Sequence, residues 1–94
     1  MSEEFKIGDV VEWTSSSAGT TKTKRGDVFA VIPPGKDGYR QARKLFVESA
    51  GTHRNLWGGG LWRDEVSYVV EVPGATPKAK PILYWPRAAA LKRV

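Results

Sequence analysis

The closing stretch, Pro81 to Val94, limits the possible folds more than any other part of the chain. It reads PILYWPRAAALKRV. Ile82, Leu83, Tyr84 and Trp85 favour a strand. Pro86 fixes φ and has no N–H to donate, so a ladder must stop there. Arg87 to Ala90 is too short for a stable helix but long enough for one tight 3₁₀ turn. From Leu91 the pattern alternates again, with Leu91 and Arg93 on one face and Lys92 and Val94 on the other. A strand, a single turn and a short closing strand belong to a small antiparallel β architecture.

The punctuation of the chain agrees. Ten Gly and six Pro in 94 residues call for many turns, hence short strands rather than long helices. That length makes one domain, residues 1–94, with a modest core. Phe5 and Ile7 lead into the turn pair Gly8-Asp9, and Val10 to Trp13 follow as a first strand with Val11 and Trp13 on one face. TSSSAGTTKTKRG has no apolar period and reads as a loop by composition, with ragged strand ends as an option. Asp27 to Ile32 is nearly all apolar and bounded by Gly26 and Pro33, so a central strand is expected there. Ser67 to Val72, SYVVEV, is the clearest strand, with Tyr68, Val70 and Val72 sharing a face. Val11, Trp13, Val28, Phe29, Val31, Tyr68, Val70, Leu83 and Leu91 are the expected core.

Residues 33–66 form an irregular insertion, too long to lack structure of its own. A helix over Tyr39 to Ser49 fits, capped by Asp37, stopped by Gly51, with Tyr39, Ala42, Leu45 and Phe46 on one stripe. Lys44 to Glu48 fits a short strand equally well. Further on, Leu56-Trp57 and Leu61-Trp62 flank Gly58-Gly59-Gly60, which suggests a hairpin tip or a lid.

Taken together, FKIGDVVEW, the polar loop with Gly19, Gly26-Asp27-Val28, SYVVEV and WPRAAALKRV resemble a bacterial SH3-like barrel. The similarity is greatest to the hypervirulence-associated Tudor-like domain, which opens Gly-Asp-x-Val-x-Trp, passes a small-residue loop to Gly-x-Val, and ends on an Ala-Leu close. The resemblance covers the two ends of the chain. It implies an all-β fold, a five-stranded SH3-like (Tudor-like) barrel with an elaborated insertion between strands 2 and 3 and a 3₁₀ turn before the last strand. A second resemblance, carried by YWPRAAAL at Tyr84 to Leu91, is to the plasmid-encoded type II dihydrofolate reductases. In that family a Val-Gln-Ile-Tyr run lines a tetrameric pore and binds folate and NADPH. Here the run is Ile82-Leu83-Tyr84-Trp85. Leu83 stands at the glutamine position and has no amide, so no reductase activity is expected.

Few residues suit catalysis. Asp64 and Glu65 are adjacent, so on a strand they point apart. Ser15, Ser16 and Ser17 lack any elbow motif that would pair them with His53. The triple glycine has no following Lys-Ser/Thr of a phosphate-binding loop. Without cysteine, and with one histidine, the chain has no metal-ligand spacing, and neither metal nor cofactor is expected. The N-terminus MSEEFKIGD is unlike a signal peptide, and no apolar run approaches membrane-spanning length. A cytoplasmic, non-enzymatic protein without a membrane partner is therefore expected.

Charge points to a partner. The net charge is +5. Residues 1–12 are acidic, and the tail from Pro77 onward has no acid at all. Such a chain suits an anionic polymer, nucleic acid first, either DNA or RNA. Lys22, Lys24, Arg25, Arg40, Arg43, Lys44, Arg54, Lys78 and Lys80 are the candidate phosphate contacts. Trp57, Trp62 and Tyr39 are the candidate stacking or partner-binding rings. A Tudor-like aromatic cage for a methylated cation is a further option. Against nucleic acid stands a protein-interaction domain, self-associating in one version, that uses Trp57, Leu61 and Trp62.

Overall fold

The computed structural model describes residues 4–17, 19–55, 63–74 and 76–94. Along the chain run β1 (Val10–Ser17), β2 (Thr20–Ile32), α1 (Gly35–Glu48), β3 (Arg54–Asn55), β4 (Ser67–Val72), β5 (Ile82–Tyr84), a 3₁₀ turn (Ala88–Ala90) and β6 (Lys92–Arg93). The strands form one sheet in the order β3-β5-β4-β2-β1-β6. β3 pairs parallel with β5, and the other ladders are antiparallel. The fold is mostly β with one helix. Among the described residues no ladder joins β3 to β6, so the sheet is not closed into a barrel. Nor, among them, is any helix long and apolar enough to cross a membrane.

The sheet buries both of its faces. On one, Val11 and Trp13 of β1, Val28 of β2 and Tyr68 and Val70 of β4 pack with Phe5, Ala88 and Leu91. On the other, Ile32, Val69, Leu83 and Trp85 pack against Ala42 and Phe46 of α1. The switch between faces occurs inside β2. Val28 lies opposite Val70, but Ala30 lies opposite Val69, because a bulge intervenes. The extra residue reverses the alternation. Val28 therefore enters one core and Ile32 the other.

Several sequence expectations need correction. The polar stretch from Thr14 to Gly26 is not a loop. It is a ladder in which Thr14 faces Thr23 and Ser17 faces Thr20, reversing at Gly19 with φ of 80°. β-branched threonines and a glycine that tolerates positive φ are enough for pairing without a hydrophobic period. Val31, beyond the bulge, is 40% exposed, and Phe29 is only half-buried, packed at the margin of the core against α1. A sixth strand, β3, has formed within the insertion. The helix option holds there and the strand over Lys44 to Glu48 does not. The stripe Tyr39, Ala42, Leu45 and Phe46 faces the sheet as read. However, Pro34 rather than Asp37 is the N-cap, and Ser49 rather than Gly51 ends the helix. Asp37 lies in the first turn, where its charge suits the helix dipole. The 3₁₀ turn stands where PRAAAL places it.

Val70 is fully buried at the centre of β4. Truncating Val70→Ala should lower stability by about 1–3 kcal/mol in chemical denaturation. An unchanged midpoint would contradict its place in the core.

Candidate nucleic-acid interface

The basic residues singled out by the sequence lie on three parts of the fold. Lys22, Lys24 and Arg25 are on β2, and Arg40, Arg43 and Lys44 are on α1. Arg54 is on β3, and its N–H donates to the Pro81 carbonyl at 2.8 Å, close to the turn that holds Lys78 and Lys80. The first group belongs to the strand pair that lines one core, and the second to the helix that covers the opposite face. They are not one run.

Some of these cations already have partners. Arg25 pairs with Glu12 at 3.2 Å and Lys44 with Glu48 at 3.9 Å. The Lys24 ammonium sits 4.4 Å above the Tyr84 ring, which meets Trp13 edge-on at 5.6 Å. That ring face, the one a methylated cation would use, is filled by the chain's own lysine. Trp57, Leu61 and Trp62 lie outside the described residues, as does the triple glycine.

A different set is contiguous. Pro86 cannot donate, so the chain leaves the ladder after Tyr84 and the carbonyls of Trp85 and Pro86 need other donors. Arg63 supplies them. Its Nη2 donates to the Trp85 carbonyl at 2.6 Å and its Nη1 to the Pro86 carbonyl at 2.7 Å. Its guanidinium also lies 4.1 Å over the Trp85 ring, within cation–π range. The Arg63 carbonyl accepts from Gly35 N–H at 2.7 Å, which ties the end of the insertion to the start of α1. Tyr39 of α1 packs against Trp85 with ring centroids 6.4 Å apart, and Arg43 lies 5.9 Å over Tyr39. Arg87 is close enough to act on Arg63. Burial first, and then the Arg87 cation, hold the Arg63 guanidinium below its ordinary value.

The result is a row of Arg43, Tyr39, Trp85, Arg63 and Arg87. Among the described residues none of its three arginines has a carboxylate in ion-pair range. Trp85 is buried and Tyr39 half-buried, while Arg43 and Arg87 are exposed. Arg63 is spent on carbonyls, so it acts as a fixed positive charge. The two exposed guanidiniums keep their donor forks available. Arg63 and Arg87 are not among the residues the sequence singles out. The one signal for Arg63 is indirect, in that Trp85-Pro86 creates carbonyls that some distant donor must satisfy.

The other residues weighed for chemistry lie elsewhere. His53 Nε2 is 2.6 Å from Glu71 Oε2 and Nδ1 is 2.8 Å from Thr52 Oγ1, so both ring nitrogens are engaged. Its ring also meets Phe29 edge-on. This cluster pins the exit of α1 to β4. Ser49 and Asn55 tie the same exit to β3, both donating to the Phe46 carbonyl. Asp64 and Glu65 are exposed in a bend. Among the described residues no group of three or more acidic or histidine side chains could hold a metal ion.

Comparison with protein-family models, with curated proteins and with solved structures finds no match to this chain.

Proposed function

We propose that this protein is a small non-enzymatic binding module of SH3-like architecture that binds nucleic acid. The observation that carries the reading is the arginine row across α1 and the closing stretch, in which Arg63 is bound to the Pro86 carbonyl beside Arg87 and, among the described residues, no arginine of the row has a carboxylate in ion-pair range. Cations left without counter-charges raise the local potential, and a polyphosphate relieves it. Arginine suits the task because its planar fork matches phosphate oxygens. Arg43 and Arg87 are the contacting groups. Arg63 and Tyr39 hold them in place.

Two features favour the SH3-like architecture. With β3 set aside, five antiparallel strands remain, and β6 folds back beside β1, as a small barrel requires. The 3₁₀ turn falls between the last two strands. Leu83 is fully buried in the core against α1, so the position of the pore glutamine has neither the amide nor the exposure for ligand.

The test is an affinity titration against single- and double-stranded DNA and RNA at 50 and 200 mM salt, values chosen to span roughly the range over which phosphate contacts weaken. Binding should fall steeply with salt. The double charge reversal Arg43→Glu with Arg87→Glu should weaken it about tenfold or more and lower the salt slope by about one per lost phosphate contact. Absence of binding at low salt, or a flat salt response, would instead favour the protein-interaction reading, since apolar contacts are not screened.

A further inference from the structure

We propose that the end of the β1–β2 hairpin is an arm that enters the major groove of duplex DNA. This rests on the nucleic-acid reading and adds a second element and a specific form of partner. β1 and β2 pair from Val10↔Asp27 to Ser17↔Thr20. A third strand supports only the first part of this ladder: β6 reaches Val11 and Glu12, and β4 reaches β2 from Asp27 onward. The pairs from Thr14↔Thr23 to Ser17↔Thr20 therefore run as a two-stranded ribbon.

The base of the ribbon is anchored. Trp13 packs on Tyr84, Lys24 caps the same ring, and Arg25 pairs with Glu12. Beyond that anchor no strand or helix among the described residues is paired with it. Thr14, Gly19, Thr20, Thr21, Lys22 and Thr23 are all exposed. An isolated two-stranded ribbon of this kind is at best marginal in water.

Dimensions and chemistry select the partner. At about 3.4 Å per residue, four residues project roughly 14 Å, more than the depth of about 8.5 Å of a B-form major groove. That groove is about 12 Å wide and admits a two-stranded ribbon. The exposed groups are hydroxyls and the Lys22 ammonium, which hydrogen-bond base edges and phosphates. The sequence has no carboxylate between Glu12 and Asp27 to oppose the DNA. The major groove of A-form RNA is deep and narrow, so it excludes the ribbon.

The experiment measures fluorescence anisotropy with a labelled duplex DNA, the matching single strand and the matching duplex RNA. It compares the unaltered protein, Lys22→Glu, and a shortened ribbon in which residues 15–22 are replaced by Asn-Gly, a turn that rejoins paired strands. Thermal unfolding checks that the variants remain folded, and Lys22→Glu, a surface change, carries the test if the shortened chain does not. The expected result is a preference for duplex DNA that drops about tenfold or more on shortening and about three- to tenfold for Lys22→Glu. Duplex DNA bound within twofold by a folded shortened protein overturns the proposal while leaving the arginine row in place. Equal or tighter binding of duplex RNA or the single strand overturns it as well. If the unaltered protein binds none of the three, the nucleic-acid reading fails and takes this one with it.

Discussion

Replacing Trp85 by alanine is expected to remove about 3–5 kcal/mol of stability, the usual cost of deleting a large core aromatic. The ring is 2% exposed and lies between the sheet and α1. It does more than fill volume. Its Nε1 donates to Ser67 Oγ at 2.7 Å, and Ser67 is itself buried. Arg63 lies over its face and Tyr39 beside it. Removing the ring leaves a cavity, an orphaned buried hydroxyl and a guanidinium without its platform. Trp85→Phe should cost less, since it keeps much of the volume and loses the hydrogen bond. Urea unfolding followed by circular dichroism measures both, and a Trp85→Ala midpoint matching the unaltered protein would remove Trp85 from the core. The same variant should weaken nucleic-acid binding even where it folds, because Arg63 and Tyr39 lose the surface that aligns them.

The second large effect is expected at Gly26. Here β2 passes from its ladder with β1 to its ladder with β4: Gly26 faces Val11, and Asp27 faces Glu71. A Cβ at Gly26 would overlap the Glu71 carbonyl oxygen and come within 2.9 Å of the carbonyl carbon and of Val70 Cγ1. The obstacle is mainly backbone, so no rotamer change relieves it. β4 must then move away from β2. Gly26→Ala should therefore cost about 3 kcal/mol or more, at or above the upper end for overpacking, and lower the melting temperature by roughly 12–24 °C for a domain of this size. Gly51→Ala is the control. Nothing lies within 4 Å of a Cβ there, and its φ is not positive. That change should be neutral or stabilise by up to about 1 kcal/mol. Equal melting temperatures for the two variants would show that the close approach at Gly26 is absent.

These two positions bear on the interface as well as on stability. Gly26 lies where β2 passes between its two ladders, two residues after Lys24, which with Trp13 meets Tyr84 of β5. Trp85 carries the arginine row on the opposite face. Tyr84 and Trp85 are consecutive, so strand alternation sends one ring to each side of the sheet. The closing stretch thus organises both proposed surfaces.

Local periodicity determined what it can determine, namely which residues share a face. SYVVEV forms β4, the helical stripe from Tyr39 to Phe46 faces the sheet, and PRAAAL makes the 3₁₀ turn before a short last strand. Each depends on neighbours within a few residues, where backbone geometry alone fixes side-chain direction. What covers each face was decided only by tertiary structure. Val28 and Val31 read alike in DVFAVI, yet a bulge whose position depends on β4 buries one and exposes the other. Thr14 and Thr20 to Thr23 are exposed and show no apolar signal, and the pairing of this stretch comes from backbone hydrogen bonds and a turn at Gly19. The arginine row shows the same limit. Arg63 reaches the carbonyls of Trp85 and Pro86, 22 and 23 residues away, and no pattern near residue 63 encodes that distance. The match of a donor to orphaned carbonyls depends on how α1, the insertion and the closing stretch dock, and docking is settled by the burial of whole faces rather than by any single residue.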